Sequence, residues 1–173
     1  MNLQPFLIGA SLTLRPLAEE DFDELYLAAA DPLIWEQHPD RHRYEPGPFE
    51  IYFRSGMDSK GALAIVRDKK IIGSSRYTHY NSSHSSVEIG YSFLTREHWG
   101  QKFNLELKTL MLNHAFRSVE SAFFVVGISN FRSQKAMQKI GGIRIFDISH
   151  TPVNTSTQTS VVFEIKKSNW KLF

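Results

Sequence analysis

A chain of 173 residues with 42% hydrophobic and 22% charged residues is long enough for a single domain with a sizeable core and has the make-up of a soluble globular protein. A formal charge of +2, with no basic run and no repeated Arg/aromatic module, gives no case for nucleic-acid binding, and the longest apolar run, residues 122–128, is far too short to span a bilayer. The absence of cysteine excludes a Cys nucleophile, a Cys-based zinc site and a disulfide framework; together with an N-terminus lacking the basic region and cleavage site of a secretory signal, it fits a cytoplasmic protein.

In chain order, residues 11–17 (SLTLRPL) alternate as a short strand whose Arg15 and Pro16 suit an edge or a strand end. Residues 19–30 predict a helix, acidic in its first turn and apolar at Phe22, Leu25, Tyr26 and Ala29, ended by Asp31-Pro32. Residues 35–48 (WEQHPDRHRYEPGP) predict a long irregular wall before a short helix over 49–56, entered through Pro48. Strands over 61–66 and 71–80 follow, joined by the charged turn 67–70, and a polar link over 81–86 leads into a third antiparallel strand.

That third strand opens the stretch where the chemistry is expected. Val87, Ile89, Tyr91 and Phe93 alternate with Glu88, Gly90 and Ser92, the period of a strand with one core face and one free face. Beyond it the period changes: Lys102, Glu106, Thr109, Asn113 and Arg117 form one polar stripe at helical spacing, while Phe103, Leu107, Leu110, Met111 and Phe116 fill the remainder. The intervening Trp99-Gly100-Gln101-Lys102 is a strand-to-helix turn, and the unpaired N–H groups of a helix start, with the helix dipole, suit a phosphate.

Residues 122–128 (AFFVVGI) predict a strand buried on both faces. Asn130 offers a cap for a helix over 131–140 that closes on Gly141-Gly142, and strands over 144–149 and 158–165 flank a Thr/Ser/Asn-rich loop. The expected fold is an α/β sandwich around one mixed, mostly antiparallel sheet, forming one domain. Its final loop and strands offer a surface for a homodimer contact.

The order of elements, the glycine-containing turn after the EIGY strand, and Asn130-Phe131-Arg132-Ser133 followed by Lys139-Ile140-Gly141 resemble the Gcn5-related N-acetyltransferase superfamily over residues 12–163, and most closely its ribosomal-protein N-terminal acetyltransferase branch (the RimJ/RimL-like proteins). The resemblance implies acetyl-CoA as acyl-donor co-substrate, a primary amine as acceptor and no metal. It places the pantetheine arm along Tyr91, Ser92, Phe93 and Leu94, the pyrophosphate over Trp99, Gly100, Gln101, Lys102, Phe103 and Asn104, and further cofactor contacts at Asn130 and Ser133. The turn departs from the family's Arg/Gln-x-x-Gly-x-Gly/Ala: Trp99 stands at the Arg/Gln position, Lys102 and Asn104 at the two small positions. A Lys102 charge and an Asn104 donor are substitutes for close backbone approach.

Direct transfer needs a neutral amine, donors for the tetrahedral oxyanion and a proton for the thiolate; without cysteine, a Cys acyl-enzyme is closed. Glu88 on the polar strand face is the candidate base, or a half-exposed strand carboxylate; Ser133 is the candidate acid, or a helix cap. Tyr91 is a second proton donor or a core side chain. Trp35, His38, Arg41 and Tyr44 are expected to shape an acceptor wall; His38, Asp40 and His42 are spaced like metal ligands but have no evident fourth partner. Three readings stay open: a protein N-terminal α-amine as acceptor, a small amine, or acyl-CoA binding without catalysis.

Overall fold

The computed structural model describes residues 1–146 and 159–170. Eight strands form one sheet in the order β1-β2-β3-β4-β5-β6-β8-β7, where β1 is Leu7–Ile8, β2 Thr13–Pro16, β3 Ala62–Arg67, β4 Lys70–Asn81, β5 Ser86–Leu94, β6 Ser121–Gly127, β7 Ile143–Ile145 and β8 Ser160–Lys166. Every pairing is antiparallel except β5 with β6. Four helices cover it: α1 (Phe22–Ala29), α2 (Pro46–Ser59), α3 (Phe103–Ala115) and α4 (Phe131–Lys139). The expected sandwich is therefore present. The edge pair Leu7–Ile8 was too short to read from its pattern, and the α2 helix starts earlier than expected because Pro46 and Pro48 both fit a first turn that needs no N–H donors. Parts of the expected strands over 144–149 and 158–165, with the loop between them, lie outside the described residues.

Period-2 alternation divides the core. On β3, Leu63 and Ile65 join one apolar cluster with α3 and α4, while Ala62 and Ala64 join another with α1 and α2. The α2 side presents Phe49, Tyr52, Phe53 and Gly56 to the sheet at helical spacing, with Phe22 of α1 edge-on to Phe49 and Phe53. The β3–β4 turn is as tight as its charged residues predict, Asp68 and Lys69 both taking positive φ (48° and 65°), the geometry of a two-residue hairpin. Among the described residues, no helix is long and apolar enough to cross a membrane.

The feature that positions the site is a split in the sheet. Strands β5 and β6 pair only from Ser86↔Ser121 to Glu88↔Phe123, and beyond that point they diverge. The cause lies on β5: between the pairs Arg76↔Gly90 and Ser74↔Phe93, β5 carries one residue more than β4, and Tyr91 takes up the excess with φ of 54°. This bulge corrects the simple alternation. Val87 and Ile89 pack with α3 as expected, but Phe93 packs in the α1/α2 cluster and Tyr91 is 40% exposed, because an extra residue reverses the faces of everything after it.

Candidate active site

The split opens a cavity of about 640 Å³ between the arms. Gly90, Tyr91, Ser92, Phe93 and Leu94 line it on β5, and Phe124, Val125, Val126 and Gly127 line it on β6. The turn into α3 closes one end: after a single 3-10 turn at Arg96–His98, Gly100 takes φ of 71°, a left-handed conformation that glycine adopts without steric cost, and α3 begins behind Lys102. The first intrahelical bond there is Glu106 N–H to the Lys102 carbonyl at 2.9 Å, so the amides of Phe103, Asn104 and Leu105 have no intrahelical acceptor. Trp99, Gly100, Gln101, Lys102 and Asn104 line the cavity; Phe103 is buried in the core, edge-on to His98.

Trp99 has a structural task in addition. Its indole N–H donates to the Leu94 carbonyl at 2.9 Å, and the Arg132 guanidinium lies 3.9 Å above its ring. Arg132, at the start of α4, also donates to the Ile34 carbonyl (2.8 Å), tying the wall after α1 to both helix starts. Asn130 caps α4, its Oδ1 accepting from Ser133 N–H at 3.1 Å, and both Asn130 and Ser133 line the cavity.

Glu88, in the last β5–β6 pair before the split, is not among the residues that line the cavity and lies on the opposite face of β5 from the lining residue Ile89. It is 7% exposed, and its Oε2 is 3.0 Å from His79 Nδ1. Burial raises its proton affinity above the ordinary carboxylate range, with the histidine opposing. A Cβ at Gly90 would come within 3.2 Å of Glu88 Oε1, so glycine there leaves the carboxylate's cavity-side flank open.

The acceptor wall is assembled in part. Trp35 and His38 line the cavity, the former fully buried with its indole N–H on the Ala29 carbonyl (2.8 Å); Arg41 and Tyr44 are not among the lining residues. Arg43 is the half-buried arginine of this wall, though not a lining residue either: it is stacked near Trp35, Tyr52 and Tyr91 (5.5, 5.0 and 5.9 Å to the ring centroids) and paired with Asp40. Burial away from water, helped by the neighbouring Arg43 charge, pushes the His38 pKa down to about 4, and its Nδ1 accepts from Asp40 N–H (2.9 Å). Among the described residues no three His, Cys, Asp or Glu side chains come together as a metal site; His42 turns to Glu45.

The stripe through Glu106 and Asn113 is not simply solvated: Glu106 Oε1 accepts the Ser11 and Leu12 amides (2.7 and 3.1 Å), and Asn113 accepts from the Trp170 indole. Lys108, which sequence reasoning passed over, is 3% exposed and lines the cavity. A signal was present, since Lys108 shares the arc of Met111, Leu112 and Ala115 and is the one charge on it.

Residues 11–143 match the family described as an acetyltransferase (GNAT) domain. Solved structures agree in fold. A GCN5-related N-acetyltransferase from Brucella melitensis superposes with a TM-score of 0.77 at 17% identity, covering 96% of this chain and 80% of that one. An acetyltransferase from Agrobacterium tumefaciens gives 0.73 at 23%, covering 94% and 95%. RimJ of Mycobacterium smegmatis, solved with CoA-disulfide, gives 0.70 at 13%, covering 91% and 82%. No curated protein matches the chain.

Proposed function

Because this chain belongs to the GNAT acetyltransferase family and is an N-acetyltransferase, we propose that it transfers the acetyl group of acetyl-CoA directly to a primary amine, and that the amine is a protein N-terminal α-amine. The observation that carries the donor half is the fork between β5 and β6, with unpaired α3 amides at one end and a free strand edge along Gly90, Tyr91 and Ser92. A pantetheine arm adds to that edge as another strand would, while the α3 amides and Lys102 take the pyrophosphate.

In this reading the amine enters from the α1/α2 side, past Trp35, His38 and Arg43. Glu88 takes its proton, through water across the open flank of Gly90, and burial favours this by raising the carboxylate's proton affinity towards the working pH. Amides freed by the bulge face the oxyanion, and the Ser133 hydroxyl supplies the proton to the departing thiolate. The N-terminal acceptor rests on the likeness of motif to the ribosomal-protein branch; the structure of RimJ, alike in fold and solved with CoA-disulfide, supports the donor half only.

Two measurements test the reading. Acetyl-CoA should raise the melting temperature and free acetate should not, because the pantetheine and pyrophosphate make most of the contacts; no shift at millimolar acetyl-CoA removes the donor half. A panel of peptides with free N-termini set beside a panel of small amines then decides the acceptor, and turnover of small amines alone replaces the N-terminal reading.

A further inference from the structure

Lys108 stands inside the fork and touches both arms. Its Nζ donates to Ser92 Oγ at 2.6 Å on β5, and lies 5.5 Å from the centre of the Phe124 ring on β6. Phe124 directly follows Phe123, the last β6 residue paired with β5, while Ser92 lies four residues beyond Glu88 on the other arm, so the amine bridges the two arms inside the fork, near the point on β6 where they part. The Ser92 hydroxyl is itself engaged, lying 2.6 Å from Ser75 Oγ and 3.2 Å from the Gly90 carbonyl, to which it can donate while accepting from Lys108.

For a purely structural residue this is an expensive choice. Methionine or leucine would fill the same arc beside Met111 and Leu112 without desolvating an amine. Among the described residues Lys108 has no ion-pair partner, and burial alone brings its pKa down to about 7. An amine held there without a counter-charge suits a site where negative charge comes and goes with a ligand. The direction of the fork identifies that charge: with the pyrophosphate at the α3 start, a pantetheine arm laid along β5 brings its sulfur to the part of the fork that Lys108 bridges.

Resting on the acyl-CoA reading above, we propose that Lys108 is the counter-charge for the CoA sulfur, its ammonium facing the thiolate formed when the acyl group departs. In the transfer, the acceptor nitrogen bonds to the acyl carbon, the carbon–sulfur bond breaks and its electron pair stays on sulfur. The acceptor's proton goes to the Glu88 side, and the thiolate rests against Lys108, which enters the step already protonated from solvent, until a further solvent proton reaches the sulfur by way of the Ser133 hydroxyl. In the complex with product CoA the same pairing forms by internal transfer, one S–H broken and one N–H made, without net exchange with solvent.

The product complex allows a test that needs no knowledge of the acceptor. Wild-type protein and Lys108→Met are titrated at pH 8 with CoA and with desulfo-CoA, following affinity and the ultraviolet band of the bound thiolate. The wild type should bind CoA about 10-fold more tightly than desulfo-CoA, the scale of one charge-assisted contact, and show the thiolate band. Lys108→Met should lose both the preference and the band while its affinity for desulfo-CoA holds. A wild type that binds the two ligands equally, or a variant that keeps the preference, overturns the role of Lys108 alone. If neither ligand binds the wild type, the acyl-CoA reading falls and this proposal with it.

Discussion

Glu88 and Lys108 flank the same fork from opposite faces of the sheet, and burial acts on them in opposite senses. Glu88, on the α1/α2 face, is drawn up in proton affinity but keeps His79 as a partner 3.0 Å away. Lys108, on the α3 face, is drawn down to about 7, with the Ser92 hydroxyl and the Phe124 ring beside it. In both cases desolvation disfavours the charged form, so each is brought nearer to neutral pH than its free counterpart. The difference is in what compensates. Glu88 has a fixed partner in His79 and can serve as a resident base; Lys108 has no charged partner among the described residues, which is what a site completed by its ligand requires.

The comparison can be broken first on stability. An amine with a folded pKa of about 7 against roughly 10.4 in the unfolded chain is protonated in both states below pH 7, where the burial penalty is felt in full. Between pH 7 and about 10 only the unfolded chain binds the proton, so this group's destabilising contribution fades as pH rises. Lys108→Met should therefore melt higher than the wild type by an amount equivalent to a few kcal/mol near pH 6, with the gap closing towards pH 10. A gap that is constant with pH would mean that the amine is not desolvated as the geometry shows.

The second test is kinetic and concerns the other face. Glu88→Gln keeps shape and should leave acetyl-CoA affinity intact while lowering turnover by about 10²-fold, the usual share of a positioned base. Higher pH should recover part of that loss, because more acceptor amine arrives already neutral. In the wild type, the acidic limb of the rate profile should lie above the ordinary carboxylate range, since burial raises the Glu88 pKa and the base acts only when deprotonated. Wild-type turnover by folded Glu88→Gln across pH would return Glu88 to a structural partnership with His79.

The smallest effect sharpens the α3 face by separating its exposed lysine from its buried one. Lys102 is exposed at the helix start, so Lys102→Ala should weaken CoA binding by about 1–2 kcal/mol at low salt, with the loss shrinking as salt rises. The contribution of Lys108, being buried, should respond much less to salt. An unchanged affinity for Lys102→Ala at low salt would leave pyrophosphate binding to the backbone amides of Phe103, Asn104 and Leu105.

Much of this architecture is local, and local signals are what a sequence states directly. The tight turn at Asp68-Lys69, the Asn130 cap, the proline entry into α2 and the strand-to-helix turn at Gly100 each follow from the conformational preferences of a few neighbouring residues. Alternation and helical spacing then sort most of the core, so the mixed sheet with helices on its faces was legible, whereas the grouping of Ser92, Gly100, Lys102 and Asn130, which line one cavity, was implied only by the family resemblance. Three things were decided only by packing. The bulge at Tyr91 reverses the faces of β5 because of its pairing with β4, a relation between segments that no single pattern contains. Arg43 rather than Arg41 turns inward because Tyr52, Trp35 and Asp40 converge on it from separate elements. And Lys108, one polar letter on an apolar arc, becomes a buried amine inside a fork only because β5 and β6 part where α3 crosses them: the cost of desolvating a charge depends on everything around it, and that surrounding is assembled by the tertiary structure.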